Sequence, residues 1–520
     1  MKSVTLDALI PREDFEVTEE ISGGVNRNKT TLSIEDLQFD SFFFTALRKP
    51  EFQRETNEWS DDKVCSFIES FINGELVPAI ILWKNKNGFI FVIDGAHRLS
   101  SLGAWINDDY GDGDISLKYY DRFIPEEQES IAKQTRELIN NRIGSFKDLK
   151  EARRKPQNEI SDKIANIVNN LGSLALQVQW VEGDSSTAEE SFLKINQSAT
   201  KISDAELELI MSRNKAHAIA ARAIVRAGRG HKYWSGFEEK VQHDIQDIAT
   251  EIHRLLFGSK KMSMDDINNL PMGGPFSANY TLDTVTQTVK ICNNLNKIED
   301  EKEGTSENVV KYLKNTLKIL EYISSKKPYS MGLHPFIYFY SDLGKHKVGS
   351  YYGILELFET LIKKQQLNRF IEVREAFEKT LMTYNFLVQQ IIRRWRQSKR
   401  GYRGVAEYFA TLIEIIHNNK LTEPVDIIGK LKELNDFRYL LTDIIDNHTS
   451  SINKNFSRGQ KQQIKIQALV QNIPKCPICG GHISPATGSI DHIIRKEDGG
   501  MASTSNGQLT HLYCNTTYKN

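Results

Sequence analysis

Long apolar runs are missing from the 520 residues of the chain. A membrane-spanning helix needs roughly 18 to 20 continuous apolar residues, and no window of the sequence approaches that length. The N-terminal residues become acidic where a secretory signal peptide would be apolar. The sequence therefore predicts a cytoplasmic protein that makes no membrane contact.

Cysteine is scarce, and an excess of charge of either sign is lacking. The net charge of -1 excludes a global basic field, so any contact with DNA has to come from local basic patches. Two of the five cysteines, Cys65 and Cys292, stand alone in apolar helical contexts, which predicts buried, reduced thiols. The other three crowd the C-terminus, where a cytosolic protein uses such a cluster for metal and not for a disulfide.

The length and composition indicate several folded domains. One hydrophobic core stops growing near about 250 to 300 residues. A content of 39% hydrophobic and 26% charged residues is ordinary for a globular chain. We predict an α+β multidomain protein with domains at residues 1–215, 216–470 and 471–520.

Hydrophobic spacing predicts the elements of these domains. In the first domain they are a helix capped by Ser60, a β-hairpin of residues 79–83 and 89–93 around a turn at 85–88, a helix at 99–106, a strand at 174–181 and a helix at 189–195. From about residue 205 to 470, apolar positions recur at three and four spacing, which predicts a helical domain. Its clearest windows are residues 309–323, 351–362 and 370–395.

The C-terminal cysteines have the spacing of a zinc site. Cys476 and Cys479 are separated by two residues, with a Gly-Gly turn behind them, and His511 and Cys514 repeat the same spacing. Two such pairs offer a closed tetrahedral site of three sulfurs and one nitrogen, which is typical of structural zinc. The alternative is that these cysteines cluster without binding metal.

Between the two pairs lie Asp491-His492, Gly499-Gly500 and Asn506, and Asn515 follows the last cysteine. This string resembles the zinc-containing branch of the HNH endonuclease family. The resemblance implies a ββα-metal fold with His492 as the general base that activates water. It also implies that Asp491 and Asn515 hold a catalytic Mg²⁺ or Mn²⁺ ion and that Asn506 fixes the loop carrying the histidine.

The chain departs from the commonest HNH pattern at two positions. His511 stands where a cysteine is usual, and it can still bind zinc. Asn515 stands where the final histidine is usual, and its amide oxygen is a neutral ligand that weakens the catalytic metal site. A protein with a degenerate HNH module therefore stays an alternative.

Near the N-terminus, the predicted hairpin runs into Asp94-Gly95-Ala96-His97-Arg98. A strand that passes through a glycine turn into a helix start exposes backbone N–H groups and the positive helix end, which suits a phosphate. Asp94 could orient a metal or a water, or cap the following helix. The alternative is a plain hairpin exit with a surface arginine.

Further matches flank this motif in order: Gln53-Arg54 and Trp59 before it, and the segment from Phe192 to Gln197 after it. Together they resemble the N-terminal domain of GmrSD-type modification-dependent restriction proteins, which is marked by a DGQQR or DGQHR motif and related to the ParB/sulfiredoxin-like fold. The resemblance covers roughly residues 30–215.

The GmrSD resemblance implies nucleoside triphosphate binding, and in some members hydrolysis, tied to control of a nuclease. By position, the binding residues are Asp94, Gly95, His97, Arg98, Gln53, Arg54 and Asn196. Ala96 replaces the first glutamine of the motif and removes one polar contact, so the resemblance implies binding more directly than hydrolysis. The runner-up is that this pocket grips the DNA backbone.

Residues 393–403 hold six basic residues and no acid. They are Arg393, Arg394, Arg396, Lys399, Arg400 and Arg403. This segment could follow a nucleic-acid backbone, with Trp395 and Tyr402 stacking on exposed bases. It is equally typical of a solvated helix end whose arginines complement the helix dipole, with Trp395 in the core.

These features together predict an HNH endonuclease gated by a nucleotide-binding domain, in bacterial restriction or antiphage defence. The expected cofactors are structural zinc, catalytic Mg²⁺ or Mn²⁺, and a nucleoside triphosphate; the expected partner is DNA. A homo-oligomer and nucleotide hydrolysis stay open. Two alternatives are a nucleic-acid-binding regulator with a degenerate HNH module and a nucleotide-hydrolysing switch that acts through a separate effector.

Overall fold

The computed structural model of the chain describes most of its residues, in two compact units. The described residues are 3–13, 28–50, 53, 56, 59–120, 124, 126–156, 159–198, 208–209, 211–229, 232–258, 266–276, 278–295, 300–394, 398–442, 456 and 458–519. The first unit is Met1–Arg213 with Arg229–Tyr233, and the second is Asn214–Gly228 with Trp234–Asn520.

The first unit is built on a mixed sheet of six described strands. In chain order they are β1 (Arg12–Glu13), β2 (Thr31–Ser33), β3 (Leu47–Pro50), β4 (Ile80–Lys84), β5 (Ile90–Asp94) and β6 (Ala175–Trp180). Their order across the sheet is β1-β3-β5-β4-β6-β2. The predicted hairpin of β4 and β5 is confirmed as an antiparallel pair. The sequence did not predict β3, which pairs parallel with β5, because so short a strand carries little periodic signal.

Helices cover both faces of this sheet. They are α1 (Phe42–Ala46), α2 (Asp61–Ile72), α3 (Ala96–Asn107), α4 (Asp114–Tyr119), α5 (Glu126–Arg142), α6 (Phe146–Ala152), α7 (Asp162–Leu171) and α8 (Ser185–Ser198). Ser60 caps α2 as predicted, because its side chain accepts the Lys63 backbone N–H. Alternate hairpin residues enter different cores: Leu82 joins the larger cluster, while Trp83 packs with Phe192 of α8. Burial on both faces explains the continuously apolar strands.

The second unit is mainly helical. Its helices are α9 (Ala216–Val225), α10 (Glu239–Phe257), α11 (Ala278–Cys292), α12 (Ser306–Ile323), α13 (Pro335–Phe339), α14 (Val348–Lys363), α15 (Leu367–Thr383), α16 (Leu387–Arg394), α17 (Ser398–Asn419), α18 (Pro424–Glu433) and α19 (Arg458–Gln471). None of the helices in the described part of the chain is long and apolar enough to cross a membrane.

The helical pattern predicted over residues 370–395 is interrupted after Thr383. The Leu387 backbone N–H donates to the Tyr384 carbonyl oxygen (3.0 Å), and Lys347 donates to the Asn385 side chain (2.8 Å). Tertiary anchoring of this turn therefore overrides the sequence periodicity. Trp395 lies outside the described residues.

The chain ends in a small ββα module. Strands β7 (Gly488–His492) and β8 (Gly507–His511) pair antiparallel, and a π-helical turn follows at Cys514–Tyr518. The predicted fold class is confirmed, with an α/β N-terminal region, a helical middle and this C-terminal metal-binding module. The domain boundaries at residues 215 and 470 stay predictions.

Candidate metal centre and nuclease site

The segment from Cys476 to Cys479 folds into a tight knuckle. The Gly480 N–H donates to the Cys476 carbonyl oxygen (2.8 Å), and the Cys476 N–H donates to the Gly481 carbonyl oxygen (2.8 Å). Gly480 has a φ of 68°, a left-handed conformation that favours glycine. A Cβ on Gly481 would lie 2.4 Å from Nε of Arg374 on α15. The two glycines therefore let the knuckle turn and pack closely against that helix.

The predicted zinc ligands lie together. The ligand atoms of Cys476, Cys479, His511 and Cys514 are all within 4.8 Å of one another, and all four residues are buried. Sγ of Cys479 lies 3.3 Å from Nδ1 of His511, and Sγ of Cys514 lies 3.9 Å from the same nitrogen. Nδ1 is thus the ring nitrogen that faces the cluster. Three thiols and one imidazole form a donor set that fits a closed zinc site.

Local interactions prepare these groups to bind metal. Burial lowers the pKa of His511, which favours the neutral ring that a metal requires. Nε2 of His511 donates to the His482 carbonyl oxygen (3.0 Å), which fixes the tautomer and leaves the Nδ1 lone pair toward the thiols. Hydrogen bonds among the three thiols lower the pKa of Cys476 and raise the pKa values of Cys479 and Cys514, so Cys476 is the thiol that ionises first.

A buried ion network joins the knuckle to α15. Oε1 of Glu378 accepts from Nε of Arg374 (2.7 Å) and from the Tyr338 hydroxyl (2.7 Å). Oε2 accepts the backbone N–H and the ring Nδ1–H of His482, both at 2.7 Å. The Arg374 and Glu378 side chains are at most 1% exposed. Arg374 also donates to the Met331 carbonyl oxygen (2.7 Å), so the charges of this pair are compensated and well bonded.

His482 links this network to the metal cluster. Although burial disfavours the charged carboxyl, Arg374 and His482 together hold the pKa of Glu378 below its usual range. The backbone of His482 carries the carbonyl that accepts from His511. Sequence reasoning missed these residues, because Glu378 and His482 are 104 positions apart and only the folded chain brings them together.

Asp491 lies on β7 with its side chain buried. The antiparallel register sets it opposite Gln508 of β8, whose Nε2 donates to Oδ2 of Asp491 (2.9 Å). The ammonium of Lys519 donates to the same oxygen (2.6 Å). Burial opposes ionisation, but these two bonds lower the pKa of Asp491. An ionised carboxylate oxygen fits Mg²⁺ or Mn²⁺, and the Lys519 ammonium marks a position that attracts a cation.

Sequence reasoning also missed both partners of Asp491. Gln508 could have been found by pairing the two strands of the hairpin from their ends. Lys519 carries no such signal, because its position depends on the direction of the last helical turn.

His492 is the last residue of β7 and is half-buried. The loop that follows it is held by Asn506, whose Oδ1 accepts the Ile494 backbone N–H (2.7 Å). Nδ2 of Asn506 donates to the carbonyl oxygens of Ile494 (3.1 Å) and Met501 (2.9 Å). One side chain thus ties together the two ends of this loop.

Asn515 lies in the final helical turn and contacts β7. Its Nδ2 donates to Oγ of Ser489 (2.9 Å) and to the Ile490 carbonyl oxygen (3.3 Å). These bonds set the turn against the strand that carries Asp491 and His492.

The N-terminal motif lies where β5 ends and α3 begins. Gly95, with a φ of 99°, is the N-cap of α3, and no side chain caps the helix. The alternative role of Asp94 as a helix cap is therefore wrong. Oδ2 of Asp94 instead accepts from Nη2 of Arg98 (2.5 Å), and the same guanidinium donates to the Ala79 carbonyl oxygen (3.3 Å). The acid and the base of the motif thus hold each other across the first turn of α3.

The other residues predicted for the nucleotide pocket include His97, Gln53, Arg54 and Asn196. The His97 ring stacks on Trp59, with 5.4 Å between ring centroids. Oε1 of Gln53 and Nε of Arg98 are buried and have no hydrogen-bond partner among the described residues. Two residues lie outside the description, Arg54 entirely and Asn196 of α8 in its side chain.

Family models match two parts of the chain. Residues 34–212 match the N-terminal domain of the GmrSD restriction endonuclease, and residues 476–520 match the HNH endonuclease. These matches confirm the GmrSD-type architecture. Neither a curated protein nor a solved structure matches the chain significantly.

The GmrSD and HNH domains support a nuclease in restriction or defence, with DNA as its substrate. The HNH match begins at Cys476 and contains both ligand pairs, the Asp491-His492 strand and Asn515. The buried cluster of three cysteines and one histidine is consistent with a bound metal.

The basic stretch lies between the GmrSD and HNH domains in the sequence. Arg393 and Arg394 are exposed at the end of α16, and the Arg394 guanidinium lies 4.5 Å from the Tyr439 ring centroid. Tyr402 is only 5% exposed and packs edge-on against Tyr352. Its predicted stacking on bases is therefore wrong, because its ring is part of the core.

The remaining basic residues of this stretch are only partly described. Arg403 is exposed on α17. Arg396 lies outside the described residues, and so do the side chains of Lys399 and Arg400. A role of this segment in binding DNA stays a prediction.

Proposed function

We propose that the protein is a metal-dependent DNA endonuclease whose cutting is gated by nucleotide binding to its N-terminal domain, in bacterial restriction or antiphage defence. The observation that carries this proposal is the arrangement within the HNH match. A buried four-ligand cluster lies beside a hairpin strand that ends in Asp491 and His492. Such a module holds a base and an ionised carboxylate on one short rigid element, as phosphodiester hydrolysis requires.

In the proposed mechanism, His492 takes the proton of the attacking water. A bound Mg²⁺ or Mn²⁺ ion would supply the positive charge that offsets the charge developing on the scissile phosphate. Asp491 would hold this ion through its carboxylate, and Asn515 through its amide oxygen. Asn506 keeps the loop after His492 in place through its bonds to Ile494 and Met501.

Zinc is the metal that we propose for Cys476, Cys479, His511 and Cys514. All four positions would be occupied by protein atoms, so the ion would be structural. The module is too small for a large hydrophobic core, and its metal-binding energy would therefore be folding energy.

Nucleotide gating is the finer part of the proposal. The unpartnered Nε of Arg98 supports a polar ligand at the N-terminal motif, because a buried polar atom without a partner is costly. The guanidinium of Arg98 can turn from Asp94 to phosphate oxygens, which it can grip in two places. The resemblance to GmrSD proteins supports a nucleoside triphosphate as that ligand.

Cutting of supercoiled plasmid by the full chain tests both parts. The reaction contains Mg²⁺ or Mn²⁺, with and without nucleoside triphosphate. Wild type should cut, and His492→Ala should lose activity by a factor of about 10² or more. His243→Ala is the matched control, because His243 is exposed on α10 outside the HNH match.

The outcomes separate nuclease from gate. If wild type cuts under none of these conditions, the nuclease proposal is wrong. If cutting is unchanged by nucleotide and by Arg98→Ala, the proposed nuclease activity is retained and the proposed nucleotide gating is wrong.

The second candidate is a nucleic-acid-binding regulator with an inactive HNH module. It is favoured by the contacts of Asn515, whose amide nitrogen is bonded to β7, and by the neutral character of an amide ligand. DNA binding that survives His492→Ala, without cutting by either protein, would support it. Nucleotide hydrolysis without cutting would instead indicate a switch that acts through a separate effector.

A further inference from the structure

Lys519 contacts the carboxylate of Asp491, the proposed metal ligand. Its Nζ lies 2.6 Å from Oδ2 of Asp491 and 2.8 Å from the His492 carbonyl oxygen. The ammonium thus touches both residues of the Asp-His pair that the proposed function assigns to metal binding and proton transfer. The Lys519 side chain is 20% exposed and that of Asp491 is 7% exposed, so water screens this ion pair only partly.

The backbone around Lys519 holds it in this place. Its N–H donates to the Cys514 carbonyl oxygen (3.1 Å) at the end of the helical turn. Its own carbonyl oxygen accepts from Nη2 of Arg495 (2.8 Å), which lies on the loop after His492. The backbone of Lys519 is therefore held both by the final helical turn and by Arg495 in the loop after His492. Its side chain is still partly exposed to solvent.

We propose that the Lys519 ammonium competes with the divalent metal ion for Asp491, and that this competition sets the metal affinity of the nuclease site. The inference rests on the proposed function of Asp491 as a metal ligand. It adds a residue that no sequence pattern assigned to the site.

The competition follows from the charges and positions of the two cations. A divalent ion held by Asp491 would compete with the ammonium for the negative charge of the carboxylate, and the two cations would repel each other in a site that water screens only partly. The flexible lysine stem can swing outward and keep its charge hydrated. Metal binding therefore requires displacement of Lys519, which weakens the affinity without abolishing the site.

Mn²⁺ binding to the zinc-loaded full chain, followed by electron paramagnetic resonance of free Mn²⁺, tests this inference without measuring cutting. Lys519→Met should bind Mn²⁺ about tenfold or more tightly than wild type, because one adjacent cation has been removed. Lys519→Gln should behave like Lys519→Met, and Lys519→Arg should stay close to wild type. Lys496→Met is the matched control, because Lys496 is an exposed lysine on the same module, and it should leave the affinity unchanged.

Asp491→Asn shows whether the measured Mn²⁺ binds at Asp491. Loss of Mn²⁺ binding in this variant, together with tighter binding in both neutral Lys519 variants, supports the inference. Loss in Asp491→Asn with unchanged or weaker binding in both Lys519 variants overturns the inference and leaves the proposed metal role of Asp491 standing. Full Mn²⁺ binding in Asp491→Asn overturns both. Unchanged zinc content in every variant confirms that each has kept its fold.

Discussion

The C-terminal metal cluster and the N-terminal motif Asp94-Gly95-Ala96-His97-Arg98 were both indicated by sequence patterns, yet the fold arranges their side chains differently. Cys476, Cys479, His511 and Cys514 turn their donor atoms toward one point. In the N-terminal motif, Asp94 and Arg98 instead bond to each other across the first turn of α3. The donor atoms of the C-terminal pattern thus converge on one another, whereas the charged groups of the N-terminal motif form an ion pair.

The two regions also differ in what surrounds them. The metal cluster is backed by the Glu378–Arg374 pair, which is buried and hydrogen-bonded to Tyr338, His482 and Met331. The N-terminal motif has a buried polar atom, Nε of Arg98, that finds no hydrogen-bond partner among the described residues. The first environment resembles a finished structural site, and the second resembles a site that a ligand completes.

Replacing Cys476 by serine should have the largest effect on this comparison. We expect it to remove one zinc ion per chain, since structural zinc contributes about 10 kcal/mol or more to the folding of such modules. Metal analysis of the purified protein measures this directly. Cys292→Ser is the control, because Cys292 is buried in α11 outside the cluster. Zinc content that is unchanged by Cys476→Ser would refute the ligand assignment.

Glu378→Gln tests whether the helical domain supports the metal cluster. The change leaves Arg374 buried without its counter-ion, so we expect a loss of about 3 to 5 kcal/mol in unfolding free energy and faster zinc release to a chelator. Denaturant unfolding and chelator competition are the measurements. Glu375→Gln on the same helix should cost less than about 1 kcal/mol, because Glu375 pairs with Lys475 at the surface. Equal effects of the two changes would contradict the proposed support.

Arg98→Ala tests the other side of the comparison. If its guanidinium grips a nucleotide phosphate, its removal should weaken nucleoside triphosphate binding by roughly 10- to 100-fold. Isothermal titration calorimetry on the full chain measures the affinity. Arg154→Ala, a change at an exposed arginine of the same unit, should have no effect. Unaltered binding by Arg98→Ala would show that the Asp94–Arg98 pair is only structural.

The smallest effect concerns pH. Burial lowers the pKa of His334 to about 4, against a usual value of 6.5. Nε2 of its ring lies 3.1 Å from Oδ1 of Asn268, within hydrogen-bonding distance. Because the folded protein holds this ring neutral, its contribution to stability is complete above pH 6.5. It falls by about 1.4 kcal/mol per pH unit as the pH drops toward 4.

Denaturant unfolding at several pH values measures this contribution. His334→Gln should make the pH dependence shallower by that amount over the same window, whatever its effect on stability at pH 7. Parallel curves for the two proteins would exclude a role of His334 in the acid sensitivity of the helical domain.

Sequence reasoning predicted the elements whose information is local. The β4–β5 hairpin follows from apolar runs around a turn, and the metal ligands follow from two short chelating spacings. Ser60 and α2 were found because a cap precedes a periodic helix.

What could not be predicted depends on distant contacts. Glu378 reaches the knuckle only through tertiary folding, and Lys519 reaches Asp491 only because the last turn points back at the hairpin. Tyr402 was placed wrongly because an aromatic among arginines looks the same in sequence whether its ring faces solvent or the core. Periodicity and spacing describe a segment, but they do not identify the distant residues that pack against it.

The close packing of Gly481 on Arg374 has a consequence for domain recombination in evolution. Because the C-terminal module packs against the buried charge pair of α15, we expect that it does not fold independently of that helix. Transplanted without α15, it would leave behind the partner of His482 and the surface that its knuckle was shaped to fit. Any recombination that moved this tail would have to carry the helix with it, so the HNH domain and the helical domain are expected to be inherited as one piece.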